Sequence, residues 1–105
     1  MYTLITAATS AQAYQLKNSL NSADIILGDY LELPAIMLKN ANMIKLPNPA
    51  SASYVHEMLT LCLDKQIKTV YAIRDSELTL LAEAGQLFSE YGIKIMKQTN
   101  ELMNQ

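Results

Sequence analysis

The densest group of side chains that could do chemistry is Arg74, Asp75 and Glu77, which directly follow an apolar segment. A guanidinium at Arg74 can bind a carboxylate or a phosphate in bidentate fashion, and Glu77 could hold a hydroxyl or an amine. A structural role also fits these residues. Asp75 or Ser76 would then cap a helix, and Glu77 would complement the positive helix end. The sequence leaves both interpretations open.

A second candidate is the turn Thr6-Ala7-Ala8-Thr9-Ser10, which follows the first apolar segment. A helix that starts there would favour an anion at its N-terminus. A dinucleotide-binding turn, however, uses glycines for close approach of the pyrophosphate, and alanines stand here instead. The other interpretation is a turn in which a hydroxyl of Thr9 or Ser10 merely caps the helix.

Asp29 ends the second apolar segment, at the place where an acidic residue contacts a ribose hydroxyl in dinucleotide-binding folds. It could equally form a turn beside Gly28. We therefore predict a ligand-binding set, with no catalytic and no metal-binding residue, that consists of Thr6, Thr9, Ser10, Asp29, Arg74, Asp75 and Glu77.

The only histidine and the only cysteine do not extend this set. His56 lies off the apolar stripe of its predicted helix, so we expect it to be exposed. Cys62 lies on that stripe and is expected in the core. Neither has a neighbour that would complete a metal site or an activated nucleophile, so we do not expect the chain to be an enzyme on its own.

Five strands and the helices between them would position these residues. The predicted strands are 2–6, 24–29, 42–46, 68–73 and 93–96. Four helices are expected, which start at Thr9 or Ser10, at residue 33, at Ser51 or Ser53, and at Asp75 or Ser76. A terminal helical turn is expected at 99–103. Alternation of strand and helix predicts an α/β fold with a parallel sheet covered on both faces.

We predict a three-layer α/β/α Rossmann-like domain with a five-stranded parallel sheet in the order 3-2-1-4-5. The candidate ligand site is the opening between the first and fourth strands, lined by residues 6–10 and 74–77 with Asp29 at its side. Helical spacing places two stripes in the core: Val55, Met58, Leu59, Cys62 and Leu63, and Leu80, Leu81, Ala84, Leu87, Phe88 and Tyr91.

Size and charge limit the class of protein. The 105 residues suit one domain over 1–105. The net charge of -2 argues against nucleic-acid binding. There is no apolar run long enough for a membrane span, no signal peptide is apparent, and a single cysteine excludes an internal disulfide. We expect a cytoplasmic protein that contacts neither nucleic acid nor membrane.

The order of the motifs resembles the N-terminal, pre-ATP-grasp domain of ATP-grasp ligases of the carbamoyl-phosphate synthase and biotin carboxylase type. The motifs that carry this resemblance span nearly the whole chain. In chain order they are Tyr2–Thr6 with its small-residue turn, Ile25–Asp29, Ile44–Pro47, Ser53–Val55, Val70–Ile73, Asp75–Leu78 and Gly92–Ile95.

The resemblance implies a Rossmann-like domain that packs against an ATP-grasp domain and contributes residues to the rim of its site. Glu77 matches an acidic position of the family at the start of the helix after the fourth strand, so it is the first residue for which the resemblance implies such a role. Two departures matter. Ala7 and Ala8 replace a glycine that commonly follows the threonine. The sequence also stops near Gln105, about where the ATP-grasp portion with its phosphate-binding lysines and metal ligands would begin.

Our main hypothesis is therefore a non-catalytic, stand-alone pre-ATP-grasp-like module. It would associate with a separately encoded ATP-grasp ligase or form a homodimer, and a nucleotide such as ATP would bind only together with a partner domain. The alternative is an independent small-molecule or nucleotide-binding Rossmann-like domain.

Overall fold

The computed structural model describes residues 1–20, 24–31 and 43–97. Its strands are β1 (Tyr2–Ile5), β2 (Ile25–Asp29), β3 (Met43–Lys45), β4 (Ile67–Ala72) and β5 (Lys94–Lys97). Its helices are α1 (Ala11–Leu20), α2 (Tyr54–Asp64), α3 (Asp75–Glu83) and α4 (Gly85–Glu90). The helix expected from residue 33, the terminal turn at 99–103 and the end of the first helix near Asn21 lie outside the described residues.

The five strands form one parallel sheet in the order β3-β2-β1-β4-β5, which confirms the predicted fold class and order. In the register, Leu4 of β1 lies beside Ile26 of β2 and Val70 of β4. The direction in which strands are added reverses between β1 and β4. The chain adds β2 and β3 on one side of β1, and then β4 and β5 on the other side. In such sheets the carboxyl ends of those strands line the usual ligand crevice.

Each face of the sheet carries its own core, as a sheet covered on both sides requires. On one face α1 packs through Ala13 and Leu16 over Ile5 and Leu27. On the other face the buried residues of the strands and of α2, α3 and α4 form the larger cluster: Leu4, Ile26, Leu46, Tyr54, Met58, Cys62, Ile67, Val70, Ala72, Leu81, Phe88 and Ile93.

Two parts of the predicted helix stripes are wrong. Leu63 is 44% exposed, because it lies near the end of α2, where the stripe turns away from the sheet. The single helix expected up to Tyr91 is divided at Ala84 into α3 and α4, which leaves Tyr91 48% exposed. Gly92 follows with φ +76°, the left-handed conformation that commonly ends a helix at glycine.

No helix in the described ranges is long and apolar enough to cross a membrane.

Candidate functional site

Asp29 is the centre of the polar groups at the carboxyl-terminal edge of the sheet. It is the last residue of β2 and is fully buried. Its Oδ2 accepts hydrogen bonds from the Thr9 backbone N–H (3.1 Å) and the Thr9 hydroxyl (2.9 Å). Its Oδ1 accepts one from the Leu31 backbone N–H at 3.1 Å. The carboxylate therefore joins the end of β2 to the turn after β1.

Arg74 completes the coordination of Asp29 from the end of β4. Its Nη1 lies 2.6 Å from Oδ1, and its Nη2 donates to Oδ2 at 3.2 Å, which is a bidentate ion pair. The guanidinium also lies over the Tyr30 ring, 4.9 Å from the centroid. Burial alone would raise the pKa of Asp29, but the bonds from Arg74, Leu31 and Thr9 outweigh it and lower that pKa to about 2.

In the turn after β1, two backbone N–H groups donate hydrogen bonds to carbonyl groups of the same chain. The Ala8 N–H donates to the Gly28 carbonyl at 3.0 Å, and the Ser10 N–H donates to the Ala7 carbonyl at 2.8 Å. Ala7 itself has φ +56°, a conformation that glycine adopts more easily. The Ser10 hydroxyl accepts from the Ala13 N–H at 3.2 Å, so Ser10 caps α1, one of the two caps expected.

Glu77 lies in the first turn of α3, beneath this edge, and is fully buried. Among the described residues, neither of its carboxylate oxygens has a partner in hydrogen-bond geometry. Burial raises the pKa of Glu77, and the Asp29 charge adds to this, while the Thr6 hydroxyl and Arg74 are close enough to lower it in part. Thr6, also buried, accepts a hydrogen bond from the Ile73 N–H at 2.9 Å.

Tyr54 is the residue that the sequence reasoning missed. It is the first residue of α2 and is only 1% exposed. Its hydroxyl likewise has no hydrogen-bond partner among the described residues. Burial raises the pKa of this phenol, and the negative charge of Glu77 raises it further. The aromatic residue could have been recognised as core, because it continues the stripe through Met58 by one turn.

The structure thus places all seven predicted residues at one edge, and it gives several of them structural partners. Asp75 differs: its side chain is exposed, at the first position of α3. Neither Asp75 nor Ser76 caps that helix, because its N-cap is Arg74, which makes no capping bond with its side chain. The two other candidates behave as expected, since His56 is exposed and Cys62 is fully buried.

Burial raises the pKa of the Cys62 thiol to about 12, so that it stays protonated at neutral pH. Within the described ranges no three His, Cys, Asp or Glu side chains form a group that could hold a metal ion.

The parallel sheet, its helices on both faces and the polar groups at the carboxyl ends of β1, β2 and β4 define a Rossmann-like α/β domain. A family model described as "PylC-like, N-terminal domain" matches residues 4–96. The chain therefore belongs to the family of PylC-like N-terminal domains, which are of the pre-ATP-grasp type, and this confirms the resemblance found in the sequence.

Among solved structures, the fold is similar to that of an L-threonine dehydrogenase from Phytophthora infestans, with a TM-score of 0.62 and 14% identity. The match covers 92% of this chain but 35% of the dehydrogenase, so the chain spans about a third of that protein. At this identity the likeness concerns the fold alone. A search of the curated proteins finds no match.

Proposed function

We propose that this domain is a non-catalytic pre-ATP-grasp module that contributes the carboxyl-terminal edge of its sheet to the rim of an ATP-grasp site. The observation that carries the proposal is the position of the Asp29 carboxylate. In dinucleotide-binding folds a phosphate sits at the N-terminus of the first helix. Here that carboxylate already accepts the hydrogen bonds of Thr9, so the domain holds its own anion there.

The remaining groups of the turn support the same proposal. The N–H groups of Ala8 and Ser10 donate to carbonyls of the chain, and Arg74 is engaged with Asp29. A nucleotide phosphate bound to this domain alone would have to displace these bonds. A nucleotide such as ATP would therefore bind only where a partner domain supplies further donors.

The partner would be an ATP-grasp domain, encoded separately or elsewhere in a longer protein, or a second copy of this chain. Family membership supports an ATP-grasp partner, because a pre-ATP-grasp domain packs against one. The buried single cysteine fits a reducing, cytoplasmic compartment.

Solution mass by light scattering tests this proposal, on the chain alone and after mixing with an ATP-grasp protein encoded beside it. We expect a one-to-one complex or a homodimer. Asp75→Lys reverses an exposed charge at the docking edge and should weaken the association. Asp64→Lys makes the same change at the opposite edge, where α2 ends, and should not. A monomer under all these conditions would contradict the proposal.

The second candidate function is an independent small-molecule-binding domain. The oxygens of Glu77 and Tyr54 that lack hydrogen-bond partners among the described residues favour it, because buried polar atoms in proteins are normally satisfied. Thermal unfolding with added nucleotides separates the two candidates. A ligand at a hundredfold its dissociation constant stabilises by about 2.7 kcal/mol, so a shift of that size with ATP alone would favour independent nucleotide binding.

A further inference from the structure

The solvent-exposed side of α2 carries a groove that is separate from the polar groups at the carboxyl-terminal edge. Its volume is about 410 Å³. In the described part of the chain it is lined by residues of α2 alone: His56, Glu57, Thr60, Leu61 and Asp64. Four of them, from Glu57 to Asp64, stand at positions i, i+3, i+4 and i+7, which form one stripe along a helix. We call this surface the α2 groove.

The α2 groove is apolar in its middle and acidic at both ends. Leu61 is partly buried and packs against the larger core cluster, so it gives the groove a fixed apolar floor. Glu57 and Asp64 are exposed, and seven residues of helix separate them by about 10 Å. No Lys or Arg of the described ranges lines the groove. A molecule that fills it therefore meets an apolar surface between two carboxylates.

Both carboxylates are open to a partner. The Ser53 and Ser51 hydroxyls donate to Oε2 of Glu57 and lower the pKa of that carboxyl, but neither bond uses its Oε1. Asp64 forms no ion pair with a described residue. It is the last residue of α2, where the helix dipole disfavours a negative charge. A cation that binds there from outside would offset that cost.

We propose that the α2 groove is the docking site for an amphipathic helix of a partner protein, which places one basic residue at each end of the groove and an apolar residue between them. A helix in such a groove makes contact through its positions i, i+3, i+4 and i+7. This is also the spacing of the lining residues on α2. Two partner cations would meet Glu57 and Asp64, while the apolar residue covers Leu61.

The charge pattern favours this occupant over others. A second copy that presented the same face would bring carboxylates against carboxylates, and like charges repel. The phosphates of a nucleic acid would be repelled in the same way. The segments outside the described ranges carry a single basic residue, Lys39, so they cannot supply both cations. The basic helix must therefore come from another molecule or from sequence beyond these 105 residues.

The inference does not depend on the proposed function. The ATP-grasp partner is proposed at the carboxyl-terminal edge near Asp75, whereas the α2 groove extends to Asp64 at the opposite edge. Asp75→Lys should therefore leave helix binding unchanged, and Asp64→Lys should leave association with the ATP-grasp partner unchanged. Failure of one proposal thus leaves the other measurable.

The test is a titration of the isotope-labelled whole chain with a synthetic helical peptide, followed by amide chemical shifts. The peptide is an alanine-based helix of about 16 residues, a length at which isolated helices begin to be stable. It carries two arginines seven residues apart and two leucines between them on the same face. We expect saturable shifts centred on α2, with a Kd below about 1 mM at low salt.

Two features of the binding check the role of charge. Affinity should fall at least about fivefold when the salt concentration rises from about 0.02 M to about 0.5 M, because salt screens exposed charges. A peptide of the same composition with its arginines on opposite faces should bind at least about fivefold more weakly. A peptide with glutamates in place of the arginines should not bind.

Asp64→Lys should weaken binding of the arginine peptide about tenfold, because it replaces an attraction by a repulsion. It should not harm folding, since a cation is favourable at the end of a helix. Glu90→Lys is the matched control, because it makes the same charge change at the last residue of α4 and should leave the affinity unchanged. Asp64→Asn, which only removes the charge, should weaken binding about threefold.

Absence of saturable shifts with the arginine peptide would overturn the inference, and so would shifts centred outside α2. Equal binding of the glutamate peptide, or equal losses in the Asp64 and Glu90 variants, would do the same. Shifts of the α2 residues that depend on protein concentration without any peptide would assign the groove to a second copy of the chain, which also contradicts the inference.

Discussion

Replacing Asp29 by asparagine tests whether its ion pair stabilises the edge of the sheet. The side chain keeps its size but loses the charge that pairs with Arg74. The pKa of Asp29 is lowered from an ordinary value of 3.8 to about 2 in the folded protein. At 1.36 kcal/mol for each tenfold change in proton affinity, this corresponds to about 2 kcal/mol of stability at neutral pH.

The pH dependence has a definite sign. A carboxyl whose pKa is lower in the folded state contributes its stability above the unfolded value, near pH 4, and loses it as the pH falls towards 2. The wild-type chain should therefore be about 2 kcal/mol more stable than Asp29→Asn at pH 7. The difference should disappear as the pH approaches 2, when Asp29 becomes protonated.

The assay is urea unfolding followed by far-ultraviolet circular dichroism from pH 7 to pH 2. The difference between the two chains is the measured quantity, because hydroxyl donors of Ser53 and Ser51 also lower the pKa of Glu57 and add to the acid loss of both. Asp75→Asn, an exposed change nearby, should follow the wild type. A constant gap between wild type and Asp29→Asn from pH 7 to 2 would refute the reasoning.

Three further stability predictions can be checked by the same unfolding assay. Tyr54→Phe should stabilise the domain by about 1 kcal/mol, because it removes a buried hydroxyl without a described partner; a loss would indicate that the hydroxyl is paired. Gly28→Ala should destabilise by about 1–3 kcal/mol, since its Cβ would lie 2.8 Å from a leucine side chain. Gly85→Ala, with open space at that position, should instead stabilise by about 0.5 kcal/mol. Leu81→Ala should cost about 2–5 kcal/mol at a fully buried site, whereas Leu63→Ala, 44% exposed, should cost under about 1 kcal/mol.

The sheet order followed from the sequence because local signals there agree with the global fold. Apolar strands alternate with helical stripes, and Pro47 and Gly92 mark ends of elements. Right-handed crossovers then leave few arrangements for five parallel strands. The break at Ala84 was missed because apolar residues continue at helical spacing across it, although Gly85 offered a local signal for an interruption.

The candidate site was only partly predictable, because its contacts join residues distant in sequence. The residues at the strand ends follow from the topology alone. The pairing of Asp29 with Arg74 spans 45 positions, and no periodicity encodes which carboxylate a guanidinium contacts. Arg74 was expected to meet a ligand, yet its partner is a carboxylate of the same chain. Tyr54 was overlooked for a related reason, since its relation to Glu77 depends on how two helices pack.

The two buried carboxyls at this edge have opposite environments, and the contrast bears on function. Asp29 receives every hydrogen bond it needs for its charge, so its pKa falls and its role in stability is clear. Glu77 is as deeply buried, and burial raises its pKa, because the contributions of the Thr6 hydroxyl and of Arg74 offset that burial only in part. A glutamine or leucine at position 77 would avoid the cost of an unpaired buried charge. Stability alone therefore does not explain Glu77, and residues that are costly to the fold are concentrated where proteins bind their ligands. The acid unfolding of Asp29 therefore tests the scaffold at this edge, whereas the role of Glu77 is a question of function.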